Sequence, residues 1–103
     1  MQRITVTHLR ARVEALNDLF GYPREPYAPE RDARGGLTAN AGTFTLDGAY
    51  GGWRLCQMCP GGGERDLTPR GTARETYDAI NAFIAGAKHM RDALAGAAKV
   101  IKA

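Results

Sequence analysis

Several kinds of residue and pattern are scarce in this 103-residue chain, and each scarcity closes a line of reasoning. Aromatic side chains make up 8% of it, so any core is small and leans on alanine and aliphatics. A chain of this size commonly completes its burial by self-association. No apolar run approaches the ~20 residues that a membrane span requires. The opening Met1-Gln2-Arg3-Ile4-Thr5-Val6 has no apolar leader. With two cysteines in all, this predicts a protein of a reducing cytoplasm rather than a disulfide scaffold. No block of five like charges occurs, and the fourteen basic residues are interspersed with eleven acidic ones for a net charge of +3. That mixing argues against a nucleic-acid-binding arm. Lysine stands only at Lys88, Lys99 and Lys102, so arginine carries most of the positive charge. Arginine suits bidentate phosphate recognition, although a GC-rich genome enriches it too.

Residues for catalysis are as sparse. His8 and His89 fall on separate predicted helices with no serine or cysteine partner at a recognisable spacing, so no catalytic triad can be assembled. Cys56-Gln57-Met58-Cys59 is a C-x-x-C. A structural zinc usually takes four ligands, and a thioredoxin-type motif expects a helix where Pro60 and three glycines follow here. Incidental cysteines at a strand end are the simpler reading. Gly61-Gly62-Gly63 lacks the Lys-Ser/Thr ending of a P-loop and reads as a hairpin turn before it reads as a phosphate cradle. Glu75 reads as a helix cap, and Asp47 and Asp66 as strand-end and turn residues. The sequence predicts no enzyme, no cofactor and no metal.

The pattern along the chain predicts a single α+β domain over 1–103. Val6, Leu9, Val13, Leu16 and Leu19/Phe20 recur at steps of three and four, predicting a helix over about 5–20 that Gly21 and Pro23 stop. Arg10, Arg12, Glu14 and Asp18 fall mainly on its other side. Residues 21–36, with Pro23, Pro26, Pro29 and Gly35-Gly36, read as an extended surface loop that Tyr22 and Tyr27 pin to the body. An antiparallel meander follows: a weak strand over 37–40, a strand over 43–47 and a turn at 49–52. A strand over 53–58 comes next, with Trp53, Leu55 and Gln57 on one face and Arg54, Cys56 and Met58 on the other. A short edge strand over 65–68 completes it. Thr72 and Glu75 form a capping box. Tyr77, Ile80, Phe83/Ile84, Ala87, Met90/Arg91, Leu94, Ala97/Ala98 and Ile101 then continue a helical stripe. One helix over 73–101 would reach about 40 Å at 1.5 Å per residue, longer than the ~26 Å diameter of a compact domain of this length. Either it breaks near Gly86 or its far half packs on another subunit, which predicts a homodimer at least.

The most informative stretch is the turn Ala49-Tyr50-Gly51-Gly52-Trp53-Arg54. Its glycines permit close backbone approach, and Tyr50 and Trp53 offer flat faces. Of the three nearby aromatics, Phe44, Tyr50 and Trp53, at least one must serve the core; Tyr50, at the turn, is the best placed to stack on a ligand. Downstream, Arg70 and Arg74 straddle the predicted cap of the long helix, whose positive end favours an anion. Tyr50, Gly51, Gly52, Trp53, Arg54, Arg70 and Arg74 are the candidate ligand-binding residues. Solvated arginines, or Arg74 paired with Asp78, are the plainer alternative.

Two blocks carry a resemblance. One is Ile4-Thr5-Val6, Leu16-Asn17, Gly21-Tyr22-Pro23 and Pro26-Tyr27, followed by Asn40-x-Gly42-x-Phe44-x-Leu46-Asp47-x-Ala49-Tyr50-Gly51-Gly52-x-x-Leu55. The other is Gly61-Gly62-Gly63, then Arg74-Glu75-x-Tyr77 and Ala82-Phe83-Ile84-Ala85-Gly86. Over about residues 4–86 the chain resembles the Thoeris anti-defence sponge family. These small phage proteins bind cyclic ADP-ribose signals made by bacterial TIR-domain immune proteins and hold them without cleavage. Some form hexamers and bind cyclic oligonucleotides. The resemblance implies that Tyr50 stacks on a base and Arg74 contacts phosphate, in the cytoplasm of an infected bacterial host. The family's polar amide after the second strand corresponds to about Cys59-Pro60 here, and its second arginine to Asp78. A small basic DNA- or RNA-binding phage regulator and a protein-interaction inhibitor of a host factor are the other functions compatible with the composition.

Overall fold

The computed structural model describes residues 3–102, with side chains from 3 to 97; Ala98 and Ile101 of the predicted stripe therefore lie outside the described side chains. Two helices lie against one face of a three-stranded antiparallel sheet. The order is α1 (Val6–Phe20), β1 (Phe44–Ala49), β2 (Gly52–Met58), β3 (Glu64–Asp66) and α2 (Ala73–Lys102), with β2 central.

Helix α1 forms where the three-four spacing predicts it, and Leu9, Val13 and Leu16 are its buried face. Its start uses His8 where a capping box normally has Glu: the Thr5 amide donates to His8 Nδ1 at 3.0 Å. Gly21 closes the helix in the left-handed conformation at φ 74°, with the Tyr22 amide donating to Asn17 O at 2.9 Å. A β-carbon is strained at such a φ, which is why glycine stands there.

The same turn presents Asn17 to the sheet. The fully buried Asn17 side chain accepts from the Phe44 amide at 2.7 Å and donates to the Phe44 carbonyl at 3.0 Å. β1 is an edge strand, so these two groups have no strand partner; the carboxamide supplies both bonds a neighbouring strand would make. Phe44 in turn anchors the aromatic cluster of Phe20, Tyr22 and Phe83, with ring centroids 5.4–5.9 Å from its own.

The loop predicted over 21–36 runs on to residue 43, because the strand expected over 37–40 is not part of the meander. It makes a single bridge, Tyr27 to Ala39, back onto the loop itself, closed by Ala28 N–H to Thr38 O (2.8 Å) and Asn40 N–H to Pro26 O (2.9 Å). The register Leu46↔Leu55 and Gly48↔Trp53 puts Phe44, Leu46, Trp53 and Leu55 toward the helices and Thr45, Asp47, Arg54 and Cys56 on the opposite face. The edge strand is shorter than expected, and beyond it the chain runs on beside β2. The Leu67 amide bonds Leu55 O at 2.9 Å, and Trp53 and Gly71 exchange two bonds of 2.8 Å.

Helix α2 is continuous through Gly86, so of the two alternatives the break does not occur. Its 30 residues span about 45 Å. Thr76, Ile80 and Ile84 are buried, and Arg12 Nε ties the two helices by donating to Asn81 Oδ1 at 2.6 Å. The chain measures 50 × 49 × 19 Å, with a radius of gyration of 16.1 Å. A compact domain of this length would have about 13 Å.

Candidate functional site

The β1–β2 turn and the start of α2 meet at one end of the sheet. Gly51 and Gly52 both have positive φ, 87° and 129°. At Gly52 the conformation and the space agree, because a β-carbon there would stand 2.0 Å from the Gly71 carbonyl oxygen. The turn is thus pressed against the segment that leads into α2. Thr76 on the first turn of α2 fastens the same junction, its hydroxyl donating to the Trp53 carbonyl at 3.1 Å. Tyr50 and Arg74 are therefore each a few residues from one tight backbone contact. Tyr50 stands entirely clear of the protein, at 105% relative exposure, and Arg74 is exposed. Phe44 is the core aromatic and Trp53 is half-buried, lying over Gly48, where a β-carbon would fall 2.4 Å from the indole.

Arg54 and Arg70 are engaged differently. Arg70 grips Asp47 Oδ2 at 2.6 Å and the Gly52 carbonyl at 3.0 Å, clamping the two strands just below the turn. Arg54 lies between Asp47, 3.0 Å away, and Asp66, 3.1 Å away. Two carboxylates and two guanidiniums make a half-exposed, charge-balanced ladder on the face away from the helices. The Arg70 hydrogen bond holds the Asp47 carboxyl below the usual carboxylate range; its partial burial opposes this, and the charges of Arg70 and Arg54 add to it. Asp47 and Asp66, expected as strand-end and turn residues, are the anions of this ladder. Sequence reasoning missed it because Asp47 and Arg70 are 23 positions apart.

The cap of α2 is also occupied. The Thr72 amide donates to Glu75 Oε1 at 2.9 Å, and the Glu75 amide to Thr72 Oγ1 at 3.1 Å. The bond from the Thr72 amide holds the Glu75 carboxyl low, so this helix start already carries a negative charge. The capping box is as predicted, and it reduces what the helix dipole alone offers an outside anion.

A surface depression adjoins the turn on the helix side of the sheet. It encloses about 560 Å³ and is lined by Arg10, Leu46, Gly48, Ala49, Gly52 and Trp53. That size is within the range of small-molecule sites. Gly52 and Trp53 of the predicted set line it; Tyr50, Gly51, Arg54, Arg70 and Arg74 do not. Arg10 and Gly48 are the additions. Arg10 carried only the signal of a cation on the polar side of α1, and Gly48 that of a small residue opposite Trp53. Arg70 instead lines a smaller hollow of about 230 Å³, with Thr68, Pro69 and Glu75.

The cysteines are both free, Cys56 buried and Cys59 partly so. Burial, with the charge of Glu64, pushes the Cys56 thiol up to about 11, so it is protonated and unreactive near neutral pH. The glycine run folds as a turn, with the Cys59 amide on Gly63 O at 3.0 Å and the Gly62 amide returned to Cys59 O at 3.1 Å. Among the described residues no three of His, Cys, Asp and Glu gather as a metal site, and no helix is long and apolar enough to cross a membrane. No known protein family, curated protein or solved structure matches the chain.

Proposed function

We propose that the protein binds and sequesters a cyclic nucleotide signal of the cyclic ADP-ribose type, without cleaving it, as the phage Thoeris anti-defence proteins that its sequence resembles do. One observation carries the reading: a tyrosine with no packing role is held out at a turn whose backbone is locked, through Gly52 and Gly71, to the start of the helix bearing Arg74. A ring left wholly in water gains nothing for the fold, whereas stacking on a base would bury it. In this reading Tyr50 takes the base and Arg74 a phosphate. The shelf of Gly48, Gly52 and Trp53, with Arg10 at its rim, receives the rest of the ligand. Arg54 and Arg70 act one step back, holding the hairpin in place through Asp47.

Calorimetric titration with cyclic ADP-ribose isomers and cyclic di- and trinucleotides tests this. Binding heat with wild type is expected, with affinity reduced about 5- to 150-fold by Tyr50→Ala and by Arg74→Ala, since a stacked ring or a phosphate-bound guanidinium is worth about 1–3 kcal/mol. Ligand recovered unchanged after release is the expected sign of sequestration rather than turnover. Absence of heat with every cyclic nucleotide, combined with salt-dependent binding to duplex or single-stranded nucleic acid, would replace the reading with that of a phage regulator.

A further inference from the structure

The two edges of the sheet are treated differently. β3 is three charged residues, Glu64, Arg65 and Asp66, and such a short charged edge resists pairing with another chain. β1 is six residues long and includes neither lysine nor proline, the residues that usually blunt an edge. Backbone bonding alternates along an antiparallel strand. Phe44 turns its amide and carbonyl outward, where Asn17 takes both. Leu46 and Gly48, two and four positions on, turn theirs outward too, and no strand of the described residues lies beyond them.

The surroundings of this open stretch are shaped for a chain. A depression of about 560 Å³ on the helix side is lined by Gly48, Ala49 and Trp53, and one of about 550 Å³ reaches round to Thr45 on the opposite face; Arg10 and Leu46 line both. Successive side chains of an added strand would fall alternately on these two sides. Asn17, Val13 and Arg10 stand on successive turns of one flank of α1. The first closes the edge at Phe44 with a carboxamide, a side-chain copy of a peptide group. The last reaches the part left open. Arg10 is exposed and forms no ion pair among the described residues. An occupant must therefore present two donors and two acceptors at a spacing of about 7 Å, with an anion near Arg10. An extended peptide meets the first requirement by construction, and a carboxylate side chain meets the second.

We infer that the β1 edge takes up an extended peptide of another protein by antiparallel strand addition, in which Leu46 and Gly48 each exchange two backbone bonds with it. Arg10 selects a peptide with aspartate or glutamate on the helix side, at the residue paired with Leu46. Asn17 sets the end of the pairing, because Phe44 is already satisfied. The inference shares Arg10 with the nucleotide reading but uses neither Tyr50 nor Arg74.

Amide hydrogen exchange and calorimetry on the full chain test it. The probe is an amide-capped seven-residue peptide of alternating threonine and valine with glutamate at its centre. At saturating peptide the amides of Leu46 and Gly48 are expected to exchange at least ~10-fold more slowly. A version N-methylated at the amides that face the edge should not bind. Wild type should prefer the glutamate peptide to its lysine counterpart by at least ~5-fold, and Arg10→Glu should invert that order. Tyr50→Ala should leave peptide affinity within about two-fold, which separates this site from the nucleotide site. Unchanged exchange at Leu46 and Gly48 overturns the proposal, as does equal binding of the N-methylated peptide or a charge preference that Arg10→Glu leaves intact. A loss of peptide affinity in Tyr50→Ala would move the peptide to the hairpin tip and overturn it too. Protection of the two amides that rises with protein concentration in the absence of peptide would give the edge to a second copy instead.

Discussion

At its open end the β1–β2 hairpin is held by a buried carboxamide and a cluster of four rings; at its tip it is held by ions and bare backbone. Around Phe44, Asn17 saturates the edge of the strand, and Phe20, Tyr22 and Phe83 pack over it. Around Asp47, the charges of Arg54 and Arg70 do the holding, and Gly52 meets Gly71 with no side chain between them. The first arrangement fixes the fold by excluding water. The second leaves charged and aromatic groups at the surface while keeping their positions defined, which is what a binding turn needs. Helix α2 serves both ends, with Thr76 at the tip and Phe83 at the open end.

Substitutions can break this contrast, and the largest effect is expected where backbone meets backbone. Gly52→Ala would drive a β-carbon into the Gly71 carbonyl at a φ of 129°. It should destabilise the protein by about 3 kcal/mol or more and lower the melting temperature by over ~10 °C. A calorimetric scan would show this, and an unchanged melting temperature would mean that the tip is not locked. At the open end, Asn17→Ala leaves the buried amide and carbonyl of Phe44 without partners. A loss of about 2–3 kcal/mol in urea unfolding is expected, and Asn17→Leu should not restore it, since shape is not what is missing.

The ionic end should respond to pH where the aromatic end does not. Asp47 titrates below its ordinary value of 3.8 in the folded protein. Its contribution to stability is therefore present above about 3.8 and is lost as the pH falls through the lower folded value. Melting temperature against pH should fall less steeply on the acid side in Asp47→Asn than in wild type, and Asn17→Ala should leave that slope alone. The smallest effect on stability is expected at Tyr50: Tyr50→Ala should lie within ~0.5 kcal/mol of wild type, although the proposed function makes it one of the two most damaging changes for ligand binding. A clear loss of stability there would give Tyr50 a packing role and weaken its assignment to a ligand.

Much of this was legible in order along the chain. The spacing of Leu9, Val13 and Leu16 gave α1, and Gly21 gave its end. Thr72 and Glu75 gave the start of α2, and the alternation around Leu46 and Leu55 gave the strands. The segment 37–40 reads as a sheet strand because its short apolar content fits a strand anywhere; only the loop's return to Pro26 and Ala28 decides what it pairs with. In the candidate site, the turn glycines and the exposure of Tyr50 followed from local chemistry. The commitment of Arg70 to Asp47 and the place of Arg10 beside Trp53 did not.

By itself the sequence determined the elements, because helix periodicity, caps and tight turns are settled among residues within about four positions of one another. Tertiary structure alone decided which charges cancel, what the 37–40 segment pairs with and which side chains gather beside Trp53. Those outcomes depend on contacts between residues tens of positions apart, and the strength of an ion pair or an apolar contact is set by the solvent that the assembled fold excludes.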